Sequence, residues 1–161
     1  MENYSIRKIN KEDNPEVAQL IRAVFDEMDI PKVGTAYEDP YLDLMYEEYN
    51  KSRSVYYVVE NNGKIVGVAG IAPLANEAET ICELQKMYFL PEARGIGIGS
   101  EMMEVCLQSG KNLGYEKCYL ETMPFMLDAQ KLYKKAGFNY IEAPMGSTGH
   151  VSCPVWMLKE F

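Results

Sequence analysis

Basic residues are scarce in this chain: lysine and arginine number 16 against 24 aspartates and glutamates, for a net charge of −8. Such a surface gains little from releasing counterions off a phosphate backbone, so nucleic acid is not expected as the main partner. A cationic ligand is tolerated and favoured instead. Histidine occurs once, at His150, and the four cysteines (Cys82, Cys106, Cys118, Cys153) form no C-x-x-C pair. That excludes the common zinc spacings and a disulfide framework, so no metal is expected. The cysteines read as small buried apolar side chains in a reducing compartment. No apolar run approaches the ~20 residues needed to span a bilayer. The opening Met1-Glu2-Asn3-Tyr4 lacks the basic and apolar regions of a signal peptide. A cytoplasmic protein with no membrane partner is therefore expected. With no repeat, low-complexity tract or Ser/Gly linker, one domain over residues 1–161 is the simplest organisation.

What is present alternates between strand and helix periods. Tyr4 to Ile9 reads as a first strand, and Asn14-Pro15 opens a helix, proline being favoured at the first helical position. Val17, Leu20, Ile21, Val24, Phe25 and Met28 then share one helical face. Tyr41 to Tyr49 reads as a shorter helix. Ser54 to Glu60, Asn61-Asn62-Gly63 and Ile65 to Ile71 carry a hairpin signal, and Ile81 to Leu90 is a further strand ended by Pro91. Ile98, Met102, Val105, Cys106 and Leu113 mark a helix that Gly114 ends. Tyr115 to Thr122 is strand-like, Ala129, Leu132, Tyr133 and Ala136 share a helical face, and Phe138 to Glu142 and His150 to Leu158 read as final strands. The order β-α-α-β-β-β-α-β-α-β-β predicts an α/β domain, with helices packed on a mixed sheet.

The run Arg94-Gly95-Ile96-Gly97-Ile98-Gly99 stands between a strand and a helix. Its glycines leave backbone N–H groups uncovered at a helix N-terminus, with an arginine at the entrance, which suits an anion such as a cofactor pyrophosphate. The dinucleotide fingerprint G-x-G-x-x-G fails, because Ser100 stands where the third glycine is needed. A P-loop fails as well, since Ile98-Gly99-Ser100 lacks the Gly-Lys-Ser/Thr ending. A turn whose glycines serve conformation alone is the plain alternative.

The segment Leu84-Gln85-Lys86-Met87-Tyr88-Phe89-Leu90-Pro91-Glu92-Ala93-Arg94-Gly95-Ile96-Gly97-Ile98-Gly99 resembles the acetyl-CoA-binding motif of the GNAT acetyltransferase superfamily, Q/R-x-x-G-x-G/A, with Arg94, Gly97 and Gly99 at its defining positions. Ala129 to Phe138 is similar to the family's second signature, A-x-x-L-Y-x-x-x-G-F. The resemblance implies a GNAT-like fold, a mostly antiparallel mixed sheet of about six or seven strands flanked by about four helices. It implies acetyl-CoA as co-substrate and direct transfer of its acetyl group to an amine in a ternary complex. The amides from Arg94 through Gly95, Ile96, Gly97, Ile98 and Gly99 to Ser100 would then hold the pyrophosphate. The backbone around Met87, Tyr88 and Phe89 would pair with the pantetheine arm, one N–H polarising the thioester carbonyl.

By the same resemblance, Glu83 is the candidate general base and Tyr133 the candidate acid for the leaving thiolate. A lysine-like amine with pKa ~10.4 is rarely neutral at pH 7, so an acceptor for its proton helps. Their plain alternatives are a solvated carboxylate at a strand end and a core tyrosine with one bonded end. Many relatives carry an asparagine just before the last helix. Pro124-Phe125-Met126-Leu127-Asp128 has none, and Asp128 is expected to cap that helix.

The acceptor, a small-molecule or peptide amine, is left open by the sequence. Tyr37, Glu38, Asp39, Tyr41, Asp43, Glu47 and Glu48 suggest an acidic, aromatic lip that prefers a cation, or else a solvated helix face. His150 is a candidate secondary base, with a structural histidine as the alternative. Trp156 and Met157 are expected in the core, and a homodimer is compatible with the family. A reading from another class is a non-catalytic acetyl-CoA-binding sensor or regulatory module; a nucleotide-binding oxidoreductase is a third.

Overall fold

The computed structural model describes residues 3–161. The elements are β1 (Tyr4–Lys8), α1 (Asn14–Glu27), α2 (Met45–Tyr49), β2 (Val55–Asn61), β3 (Lys64–Pro73), β4 (Ile81–Phe89), α3 (Ile98–Asn112), β5 (Lys117–Thr122), α4 (Leu127–Lys135), β6 (Asn139–Ile141) and β7 (Val155–Glu160). They build one seven-stranded sheet in the order β1-β2-β3-β4-β5-β7-β6. Every pairing is antiparallel except β4 with β5. The expected α/β architecture and element order are those observed.

Helices cover both faces. Val17, Leu20, Ile21, Val24 and Phe25 of α1 and Met45 and Tyr49 of α2 pack with Tyr56, Val58, Ile65 and Val68 on one side. Ile98, Met102, Met103 and Cys106 of α3 and Tyr133 of α4 pack with Val59, Val66, Ile71, Cys82 and Cys118 on the other. Cys82, Cys106 and Cys118 are free and buried, as small apolar fillers; Cys153 is half-buried. Met157 is fully buried, whereas Trp156 is only partly buried against the Tyr119 cluster. Between β2 and β3 the turn residues Asn62 and Gly63 stand at φ of 51° and 82°. Those left-handed values are what a tight hairpin needs and what the Asn-Gly pair supplies.

Three boundaries differ from the sequence reading. The second helix is cut down to a 3-10 turn, Leu42–Leu44, followed by the single turn of α2. The last strand begins at Val155 rather than His150, because Gly149 turns the chain at φ 77° and Pro154 offers no N–H to a ladder. Asp128 does not cap α4: it lies in the first turn, behind an N-cap at Met126 that makes no side-chain cap bond.

Two features of β4 set up the site. Gly70 pairs with Gln85 and Val68 with Tyr88, so Lys86 and Met87 together oppose Ala69 in a bulge. Lys86 takes the extra turn with φ 48°, a left-handed conformation uncommon for a residue with a side chain. On the other edge, β4 pairs with β5 only from Ile81 to Glu83. Beyond Glu83 the two parallel strands separate, and β5 stays with β7 through Thr122. The sheet opens there like a V.

Candidate active site

The opening between β4 and β5 is a cavity with about 680 Å³ of empty space, its mouth included. Glu83 to Tyr88 of β4 form one wall, and Leu120 to Thr122 of β5, with Met123 just beyond the strand, the other. Phe25, Ile30, Thr35 and Ala36 close one end, with His150, Cys153, Met126 and Tyr133 completing the lining. Glu83, Met87, Tyr88 and Tyr133, expected at the site, are therefore brought together. Phe89 is not among them: its ring fills the space over Gly67, and its carbonyl accepts from Arg94 Nε at 3.0 Å.

Glu83 is 6% exposed. Burial pushes its carboxyl up to about 7, assisted by the nearby Glu121 and opposed by a hydrogen bond from Gln85 and by the charges of His150 and Lys86. Gln85 Nε2 donates to Glu83 Oε1 at 2.7 Å, and Tyr49 Oη donates to Gln85 Oε1 at 2.5 Å. The other carboxyl oxygen of Glu83 receives no hydrogen bond among the described residues. Tyr133 is 7% exposed, with its ring against Phe138 at 6.2 Å between centroids. Its hydroxyl has no hydrogen-bond partner among the described residues, and burial pushes its pKa up to about 12. It therefore holds its proton throughout the neutral range. Cys153, the lone cysteine lining the cavity, has its thiol pushed up to about 11 by burial, with Glu121 and Glu83 adding to the rise. A protonated thiol is a weak nucleophile.

The glycine run lies beyond the cavity, on the turn from β4 into α3. Gly95 and Gly97 have φ of 74° and 89°, and a side-chain carbon added at either would meet nothing within 4 Å. The first α3 amide with an acceptor is Glu101, bonded to the Gly97 carbonyl at 3.2 Å. From Gly95 to Ser100 no amide has an acceptor among the described residues, and the helix dipole adds positive potential there. Arg94 stands apart from this cradle. Its amide bonds the Pro91 carbonyl at 3.2 Å, and its guanidinium bonds both oxygens of Glu27 at 2.7 and 3.2 Å. The arginine expected at the entrance is thus neutralised. Ile98 is buried under α3, and Ser100 borders a second hollow between α3 and α4 with Glu104, Leu107, Leu132 and Lys135.

The acidic lip dissolves into internal pairs. Asp43 holds Arg22, Glu47 accepts from Asn14, Glu48 pairs with Lys51, and Glu38 accepts the Gly34 amide. Asp39 alone turns toward the site, where its Oδ2 lies 2.6 Å from Lys86 Nζ and its carboxylate meets His150 Nε2 at 3.1 and 3.2 Å. His150 lines the cavity from a loop, not from a strand. Sequence reasoning missed the roles of Gln85, Lys86 and Tyr49, and placed Asp39 on the lip without its partners Lys86 and His150. One signal was available: Glu83 and Gln85 stand two apart on one strand and so share a face.

The sequence matches the model of the Acetyltransferase (GNAT) family over residues 16–138. An uncharacterised N-acetyltransferase of Escherichia coli (strain K12), YjgM, is 42% identical over 156 residues, covering 96% of this chain and 93% of the relative. Among solved structures, a GNAT-family acetyltransferase from Staphylococcus aureus Mu50 superposes with TM-score 0.85 at 21% identity, over 98% of this chain and 99% of that one. The PaiA N-acetyltransferase of Thermoplasma acidophilum, solved in complex with coenzyme A, superposes with TM-score 0.76 at 17% identity over 99% of both chains. With the V-shaped opening, the bulged β4 and the open amide cradle in place, the chain belongs to the GNAT acetyltransferase family.

Proposed function

We propose that this acetyltransferase moves the acetyl group of acetyl-CoA directly onto an amine bound in the cavity between β4 and β5. The observation that carries the reading is one cavity lined both by a buried carboxyl that burial pushes up to about 7 and by a tyrosine whose hydroxyl has no partner among the described residues. That is the acid and base pairing that acyl transfer to an amine needs.

The residues present fit acetyl-CoA. Six successive amides, from Gly95 to Ser100, have no acceptor among the described residues, and the space beside the α-carbons of Gly95 and Gly97 is open, which suits a pyrophosphate. The β4 edge that β5 has left offers the Met87 and Tyr88 peptides to an extended amide chain. Bound there, acetyl-CoA supplies an acyl group activated as a thioester. The chain's own groups manage the protons. The free oxygen of Glu83 takes the proton of the acceptor ammonium, which frees the nitrogen lone pair. Tyr133 Oη gives its proton to the departing sulfur. Transfer without an acyl-enzyme is supported by Cys153, whose thiol burial holds protonated.

Release of free thiol from acetyl-CoA across a panel of primary amines tests the proposal. Glu83→Gln is expected to slow turnover about 100-fold while leaving acetyl-CoA affinity unchanged by calorimetry. Equal rates for wild type and variant from pH 6 to 9 would remove Glu83 from the reaction.

A further inference from the structure

Lys86 is a buried ammonium in the wall of the acceptor cavity, with a side chain 2% exposed. Isolated, it would be costly, and the structure resolves the cost with one carboxylate. Asp39 Oδ2 lies 2.6 Å from Nζ, which also donates to Tyr41 Oη at 3.0 Å and faces that ring at 4.7 Å. The same Asp39 carboxylate holds His150 Nε2. Neighbouring positive charge keeps Asp39 below the usual carboxylate range against its burial, so it has no proton to give. The imidazole therefore carries its own proton on Nε2.

Lys86 and His150 are the basic side chains among the described cavity residues, and both are committed to Asp39 behind the wall. The acidic ones are not balanced. Glu121 accepts from Tyr119 Oη at 2.7 Å and from Thr148 Oγ1 at 2.6 Å, both neutral donors, and pairs with no basic side chain among the described residues. Glu83 is held by the neutral Gln85. Around them the lining is apolar: Phe25, Ile30, Met123 and Met126. A carboxylate on the amine-bearing carbon of an acceptor would be forced beside Glu83 and Glu121 with no cation to meet it.

We infer that Asp39 determines specificity: by occupying Lys86 and His150 it reserves the cavity for primary amines with an apolar substituent and no adjacent carboxylate, excluding free α-amino acids. This rests on the transferase reading of the same cavity. Asp39 acts through Lys86, so it is a positioning residue rather than a catalytic one.

Phenylalanine and phenylalaninol differ only in carboxylate against hydroxymethyl, and thiol release measures kcat/KM for each. Wild type is expected to favour phenylalaninol by about 100-fold, because like charges placed together at a half-buried site are strongly disfavoured. Asp39→Asn frees the buried ammonium and is expected to shrink that ratio at least about tenfold, through a charge-assisted bond to the acceptor carboxylate. The double variant D39N/K86M loses the same Asp39–His150 contact but frees no lysine ammonium, so its ratio is expected to return toward wild type. Equal rates on the two acceptors in wild type overturn the inference, as do equal ratios in D39N and D39N/K86M. Where D39N fails to fold, having stranded a buried charge, the wild-type ratio decides. Failure of wild type to release thiol with any amine of the panel overturns the transferase reading itself, a result distinct from equal rates.

Discussion

Gln85 donates its side-chain N–H to Glu83 two residues back along β4, at 2.7 Å, while its carbonyl is fixed by Tyr49 Oη at 2.5 Å. The tyrosine contact settles which end of the amide faces Glu83. A donor directed at a carboxyl favours its ionised form, so this bond opposes the burial that pushes Glu83 up to about 7. Gln85→Leu removes the opposition and leaves the burial. The acid limb of the rate profile is expected to move to higher pH by about one unit or more, since a hydrogen bond to a charged group contributes ~1.5–3 kcal/mol. The check is kcat/KM from pH 5.5 to 9, plotted as variant over wild type so that titration of the acceptor amine cancels. A flat ratio would separate Gln85 from the base. Tyr49→Phe is expected to shift the limb in the same direction by less.

The same carboxyl makes stability depend on pH. Its ordinary value is 4.5, and in the folded protein it is raised to about 7. Between these values the folded state binds more protons than the unfolded state, so this group's contribution is fully present below about 4.5 and is lost as pH rises through about 7. Glu83→Gln cannot ionise and lacks that loss. The Tm of wild type is expected to fall relative to the variant between pH 5 and pH 8, and parallel Tm curves would contradict the raised value.

Much of this was legible in the sequence, for identifiable reasons. Local rules placed α1, the Asn62-Gly63 hairpin and the α3 entry, because periodicity, turn chemistry and glycine conformation act within a few residues. Glu83 and Tyr133 were found through family motifs, and the cavity unites them. The rest depends on contacts distant in sequence. Asp39 joins Lys86 and His150 across 47 and 111 residues, and no local pattern encodes that. The acidic lip shows the same limit: composition records carboxylates but not the Arg22 and Lys51 that pair with Asp43 and Glu48, nor the Asn14 amide that donates to Glu47. Arg94 reads in the sequence as an arginine at an anion site, and the Glu27 carboxylate that pairs with it lies 67 residues away.

Gly97 separates conformation from ligand binding. It starts α3 at φ 89° with open space above, so an added side chain meets no protein atom but must adopt a left-handed backbone. That strain costs ~1–2 kcal/mol. Gly114, beyond the other end of α3, matches it: φ 88° and nothing within 4 Å. Gly97→Val and Gly114→Val are therefore expected to lower Tm by similar amounts. Only Gly97→Val puts a branched chain over the free amides, and its Kd for coenzyme A is expected to rise at least about tenfold. Matching affinities for the two variants, by calorimetry, would remove the amide cradle from cofactor binding.

Tyr133 offers the sharpest division between packing and chemistry. A core tyrosine normally places its hydroxyl on a partner, and losing that bond on mutation to phenylalanine costs stability. Here the ring packs on Phe138 and within the α3–α4 core, while the hydroxyl has no partner among the described residues. That oxygen is not sealed away from solvent: Asn61 Oδ1, and not Tyr133 Oη, is the fully buried side-chain polar atom without a partner among the described residues, and Tyr133 lines the cavity. Tyr133→Phe breaks no hydrogen bond to a described residue and is thus expected to keep Tm close to that of wild type. Turnover is expected to fall about 10²-fold or more as the acid for the leaving sulfur is lost. Coenzyme A affinity, which the proposal rests on the amides of Gly95 to Ser100, should not move. A variant that loses Tm in proportion to activity would mark the hydroxyl as structural. One that loses activity while keeping its Tm would assign the unpartnered oxygen to the reaction, since packing alone gives turnover no reason to depend on it.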